Sequence, residues 1–214
     1  MPNICDNHIV IHTDSDSMID AILEKCVVEV KDDQKWFFNE GTTECFDITQ
    51  LLPEPKAFDL IHTGSAVDDN TGERVRNWYE VDKESGEKQE QSLSVITGDK
   101  TKTVGVPQEV QDELLEKYGA VNGYDWRNKF WGTKWVTGSD MDYVRVHRDN
   151  QMIAFENTSA WCPPYALFEN VAILLKGKVW FVCQWSEESG DFGNMKIRSN
   201  FNGDLITDYD DHIQ

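Results

Sequence analysis

The strongest constraint on what this chain can fold into is a helix-patterned segment that runs straight into an apolar run. Pro163-Pro164 opens the segment, Leu167, Phe168, Val171, Leu174 and Leu175 form its inward stripe, and Gly177 closes it. Val179 to Trp185 follows at once and is suited to a central strand. A helix with one apolar stripe must bury that stripe, and a sheet supplies the surface. The spacing therefore predicts a helix-on-sheet layer.

The rest of the chain extends this layer. His8 to His12 is short, β-branched and bounded by polar residues, which predicts a strand. Thr13 or Ser15 then caps a helix with Met18, Ile19, Ile22, Leu23 and Cys26 at helical spacing. Pro107 and Gly119 bracket a second helix, with Glu109, Asp112 and Glu113 in its first turns and Val110, Leu114, Leu115 and Tyr118 along its stripe. Tyr143–His147 and Met152–Glu156, joined at Asp149-Asn150, predict a hairpin. The expected class is α+β, a mostly antiparallel sheet with helices on one face, formed as a single domain over residues 1–214.

Residues 64–105 differ in character. Asp68, Asp69, Glu73, Asp82, Glu84, Glu87, Glu90 and Asp99 are interleaved with Gly, Ser and Thr, and only Val75–Val81 and Leu93–Ile96 have strand character. They predict an acidic hairpin or loop inserted into the domain.

Charge narrows the function. The chain has 39 Asp and Glu against 20 Lys and Arg, a formal charge of -19, which disfavours a groove tracking nucleic-acid phosphates. The excess is larger in residues 1–107, at 22 acidic against 10 basic side chains, than in residues 108–214, at 17 against 10. No run approaches the roughly 18 apolar residues of a membrane span, and the N-terminus lacks a basic start and apolar run. A cytoplasmic protein without membrane association is expected. The odd, widely spaced Cys5, Cys26, Cys45, Cys162 and Cys183 read as small buried hydrophobes.

Four segments carry a resemblance. Met1-Pro2-Asn3-x-Cys5-x-Asn7, Leu52-Pro53-Glu54-Pro55, Tyr124-x-Trp126-Arg127-x-x-x-Trp131-Gly132-Thr133-Lys134-Trp135, and Phe155-x-Asn157-x-Ser159-Ala160-Trp161-x-Pro163-Pro164 resemble the YubB ferredoxin-like family of bacteriophage and plasmid proteins. The resemblance spans most of the chain and is most specific from Tyr124 to Pro164. It implies a ferredoxin-like split β-α-β core and a mobile-element origin in a bacterial host cell, and it brings no catalytic residue with it. The acidic stretch 64–105 stands outside the family pattern.

Motifs for chemistry are sparse. His8 and His12 lie about 13 Å apart on a strand and cannot share a metal ion. Asp208, Asp210, Asp211 and His212 read as a solvated acidic tail rather than a chelator. Asp47, Glu54 and Lys56 faintly resemble a metal-nuclease arrangement, but Pro53 and Pro55 spoil the strand it needs. Neither a phosphate-binding glycine loop nor a nucleophile elbow is found. No catalytic residue, metal or cofactor is assigned.

Two functional expectations follow. In the first, a non-enzymatic phage-type accessory protein binds a host protein, a nucleic-acid-handling defence enzyme being the leading kind. There it acts as an acidic nucleic-acid mimic through Asp68, Asp69, Glu73, Glu84, Glu87 and Glu90, because a basic channel holds carboxylates as it holds phosphates. In the alternative, a small enzyme or ligand-binding module builds a pocket from Trp126, Arg127, Trp131, Lys134 and Trp161, where rings and cations suit stacking. Plain core packing of the tryptophans competes with that alternative. A virion component is a third possibility.

Overall fold

The computed structural model describes residues 3–30, 38–89 and 100–212. The chain divides into two compact units, one built from Met1–Pro53 with Asn128–Gln214, the other from Glu54–Arg127.

The first unit is organised by β1 (Ile4–Thr13), whose alternate residues Cys5, Asn7, Ile9, Ile11 and Thr13 are buried. Ser15 caps the following α1 (Asp16–Cys26) by accepting the Met18 N–H, and Ile19, Ile22 and Cys26 form its buried stripe. Short strands β2 (Val27–Glu29) and β3 (Glu44–Phe46) pair next to it.

The second unit holds β4 (His62–Val67), β5 (Arg74–Asp82), β6 (Lys88–Gln89) and β7 (Thr101–Gly105), with β5 pairing antiparallel to all three others. Of the two segments with strand character in 64–105, Val75–Val81 lies within β5, whose long partners are β4 and β7, and Leu93–Ile96 lies outside the described residues. Helix α2 (Gln108–Tyr118) covers this sheet. Leu114 is buried, Tyr118 meets Phe58 edge-on at 5.6 Å, and Gln111 accepts the Asn77 side-chain N–H and donates to the Val106 carbonyl. The unit thus reaches beyond the expected 64–105 insertion, because its sheet needs α2 and Phe58 to complete a core.

The chain re-enters the first unit through α3 (Gly123–Phe130), then β8 (Ser139–Asp140), β9 (Arg145–His147), β10 (Met152–Ala160), α4 (Tyr165–Leu174), β11 (Val179–Glu187), β12 (Phe192–Ser199) and β13 (Leu205–His212). The large sheet has the order β13-β12-β11-β1-β10-β9, with every neighbour antiparallel. Strands β10 and β11 therefore run the same way on either side of β1, and α4 carries the chain across it. Leu167, Phe168, Val171 and Ala172 of α4 are buried, and Phe168 stacks on Phe181 at 4.9 Å. Leu167, Phe168 and Val171 each contribute about 1.5–3 kcal/mol by leaving water.

Two local expectations are corrected. Leu174 faces solvent, because 167, 168, 171 and 172 complete the stripe and 174 falls off it. The acidic residues 208–212 belong to β13, paired along β12 from Ser199 to Phe192, and are not a frayed tail. Gly177 makes the turn into β11 at φ +78, where a Cβ would approach the Ser199 carbonyl oxygen to 3.0 Å.

Candidate functional site

The expected acidic interface resolves into separate groups. Asp68 is only 6% exposed, and its carboxylate accepts backbone N–H groups of Gly105 at 2.5 Å, Asn70 at 2.7 Å and Thr71 at 3.0 Å. These bonds, that of Gly105 foremost, hold its carboxyl below the usual range. Asp68 is therefore a turn-forming residue, and the surface charge there belongs to Asp69 and Glu73. Asp69 also accepts the Thr103 N–H, at 2.7 Å. Glu84 and Glu87 occupy the turn at the other end of β5, a strand about 30 Å long at roughly 3.3 Å per residue. Asp82 shapes that turn by accepting the Glu84 and Ser85 N–H groups, which lower its carboxyl pKa. Glu90 lies outside the described residues.

A denser group lies on α2. Glu109, Asp112, Glu113 and Glu116 are all exposed, at helical spacing on one face. At 1.5 Å rise per residue they place four charges over about 10.5 Å, close to the roughly 3.4 Å axial spacing of phosphates along one DNA strand. Their spacing was readable in the sequence, but three of them served there only to mark a helix start.

The expected tryptophan site is divided. Trp126 and Arg127 belong to the second unit, whereas Trp131, Lys134 and Trp161 belong to the first. Trp126 and Trp131 are 5% and 7% exposed, and the Trp131 indole N–H donates to the Leu52 carbonyl at 2.9 Å. Arg127 pairs with Glu54 at 2.5 Å. Lys134 is half-buried. Trp161 is 44% exposed at φ +67, with its backbone N–H donating to Asn3.

A cavity of about 580 Å3 lies elsewhere in the first unit, lined by residues of β1, β10 and the 137–140 segment. It sits where the outer ladder of β10 is interrupted. Ala154 pairs with Arg145 and Thr158 accepts the Thr137 N–H, and among the described residues no strand partner stands between them on that side. On the exposed side of β1, His8 pairs with Glu156 at 3.0 Å next to Asp6. On the buried side, the Asn7 amide donates to Ser159 Oγ at 3.0 Å, the Cys5 carbonyl at 3.1 Å and Asn157 Oδ1 at 3.2 Å. Asp140 accepts the Asp142 N–H at 3.0 Å and the Thr42 hydroxyl at 2.8 Å, and these bonds hold its carboxyl below the ordinary range.

Ser139 and Asn157 are among the lining residues, and their side-chain atoms Ser139 Oγ and Asn157 Nδ2 are buried with no hydrogen-bond partner among the described residues. Sequence reasoning missed the cavity because its residues come from three distant segments. Asn7 and Asn157 had been singled out, but only as carriers of the resemblance.

Among the described residues, no group of three or more His, Cys, Asp or Glu side chains is arranged to hold a metal ion, and no helix is long and apolar enough to cross a membrane. Comparison with family models, curated proteins and solved structures gives no match.

Proposed function

We propose that the chain is a non-enzymatic binding protein that presents carboxylates of residues 54–127 to a basic, nucleic-acid-binding surface of a host protein. The observation that carries this reading is the exposed carboxylate face of α2, Glu109, Asp112, Glu113 and Glu116. Glu84 and Glu87 at one end of β5, with Asp69 and Glu73 at the other, add to the acidic surface of the same unit. A positive channel attracts such a surface as it attracts a phosphate backbone, raising the association rate and giving strong salt dependence.

The same proposal includes a ferredoxin-like split β-α-β core. Its support is the order β11-β1-β10-β9, in which α1 follows β1 and α4 joins β10 to β11. A YubB-type, mobile-element origin is proposed with it, supported by the meeting of the Asn7 and Asn157-x-Ser159 segments on neighbouring strands. Inhibition of a host defence complex is the role this origin suggests.

The test is affinity purification of tagged protein from nuclease-treated bacterial lysate at low and moderate salt, beside the E109Q/D112N/E113Q/E116Q variant. The expected result is one stoichiometric nucleic-acid-binding protein, released by salt and depleted at least tenfold by the variant. A partner retained equally by the variant, or none at either salt, overturns the reading.

A further inference from the structure

We infer that the face of the large sheet turned away from α4 is a docking surface for single-stranded nucleic acid, with bases seated on the His12–Trp180 ring pair and phosphates on Lys196, Arg198 and Arg145. This inference is independent of the proposed function, because it concerns the other unit and other residues. Three observations support it.

First, strand register gathers an open face. Phe168 of α4 stacks on Phe181, and Phe46 meets Phe155 at 4.7 Å, so these residues mark the covered face. Alternate residues of each strand belong to the other face. There Val10 lies between Ala154 and Val182, and His12 lies between Met152 and Trp180. All six are half-exposed, so an apolar and aromatic centre meets solvent.

Second, cations frame that centre. On β12 Lys196 stands opposite Val182 and Arg198 opposite Trp180, and on β9 Arg145 stands opposite Ala154, all three exposed. Strands β9 and β12 are four strand spacings apart, about 19 Å at roughly 4.8 Å each. Lys196 and Arg198 form no ion pair or side-chain hydrogen bond among the described residues. Asp208, opposite Lys196, is the carboxylate in these two rows, while Glu156, paired with His8, and Asp210 bound the face in the next row. Charges beyond about 8 Å are screened at physiological salt, so the local balance of three cations to one carboxylate governs contact here despite the chain's charge of -19.

Third, the centre suits bases. The His12 and Trp180 rings lie parallel within 5°, their centroids 4.9 Å apart. Burial, and after it the Lys196 charge, hold the His12 imidazole below its ordinary pKa, so the ring is neutral at pH 7. Unpaired bases stack on such rings while flanking cations hold the backbone, which is how an open sheet binds a single strand. A carboxylate-bearing protein satisfies the cations but brings no base, and a duplex keeps its bases paired.

The probes are fluorescein-labelled oligothymidylate and oligouridylate of twelve nucleotides, with a duplex of twelve base pairs as the control. Binding is read by anisotropy at several salt concentrations and by amide and indole N–H chemical shifts on 15N-labelled full-length protein. The expected result is saturable single-strand binding at 50 mM salt, at least about tenfold tighter than the duplex, with shifts at residues 10–12, 152–154, 180–182 and 196–198. K196Q/R198Q weakens it at least about tenfold and flattens the slope of log affinity against log salt by about 1.4, the loss of two phosphate contacts. W180L weakens it at least about fivefold, the low end of base–aromatic stacking, and leaves the salt slope unchanged. Each variant's amide spectrum reports that it is folded. Absence of saturable binding by either single strand, duplex bound as tightly, shifts elsewhere than this face, affinity unchanged in K196Q/R198Q, or sedimentation showing the face closed by a second copy of the chain each overturns the inference.

Discussion

Asn7 and Asn157 face each other across β1 and β10, 150 residues apart in sequence, with the Asn7 amide donating to Asn157 Oδ1 at 3.2 Å. The same Asn7 nitrogen reaches Ser159 Oγ, and Ser159 in turn donates to the Cys162 carbonyl at 2.7 Å. This chain of hydrogen bonds ties the first strand to the turn that leads into α4. Asn7→Ala should therefore lower the unfolding free energy by about 1–3 kcal/mol, since it strands the buried acceptors of Asn157 and Ser159. Urea denaturation checks it, and an unchanged midpoint would contradict the network.

The cysteines give a second prediction. Burial pushes the thiols of Cys5 and Cys26 up to about 12 and that of Cys45 to about 11, and it raises those of Cys162 and Cys183 as well. The thiolate is the reactive form, so native protein should be nearly inert to a disulfide reagent at pH 8, while denatured protein titrates all five thiols. Rapid native labelling of Cys5, Cys26 or Cys183 would show that the first unit is more open than described.

Histidine stacking predicts a pH effect in the second unit. His62 lies on the Trp78 ring at 4.4 Å, and burial holds its pKa below the ordinary histidine value. The unfolded chain then takes the proton first. The stabilisation is complete above about pH 6.5 and declines as pH falls toward the folded-state value. Between pH 7.5 and 5.5, H62Q should show a shallower loss of Tm than the parent protein. Parallel Tm curves would exclude this linkage.

Asp68 and Gly105 predict a contrast among the acidic residues. Asp68 holds three backbone N–H groups, whereas Glu84 is an exposed turn residue. D68N should lower the Tm of the second unit and E84Q should leave it unchanged. G105A should resemble D68N, because its Cβ would come to 3.0 Å from Val75 Cγ1 and 3.1 Å from Asp68 Oδ2. Depressed pKa values at Asp68 and Asp82 place the related acid sensitivity below about pH 4, where protonation weakens the acceptors.

Local patterns in the sequence carried the large sheet well. The α4 stripe and the Val179–Trp185 run defined a real helix and a central strand, and the Ser15 cap marked where α1 begins. Those signals depend on neighbours in sequence. The extent of the second unit depended instead on Phe58 and Val106, buried residues outside the expected insertion that have no periodic signature. The acidic residues illustrate the same divide. Composition marks Asp68 and Glu84 alike, and only the Gly105, Asn70 and Thr71 N–H groups separate a turn carboxylate from a surface one. The cavity was the least legible feature, since Asp6 and Glu156 become neighbours only through the pairing of β1 with β10, and Asp140 comes from a third segment.

The most direct test of carboxylate mimicry uses the host protein captured by the chain and a fluorescent DNA duplex bound to it. Anisotropy is followed as wild-type chain or the E109Q/D112N/E113Q/E116Q variant is added at 50 mM and 200 mM salt. Mimicry predicts stoichiometric displacement of the duplex by the wild type at low salt, weakened at high salt and by the variant. Duplex that stays bound while the chain joins the complex would contradict it.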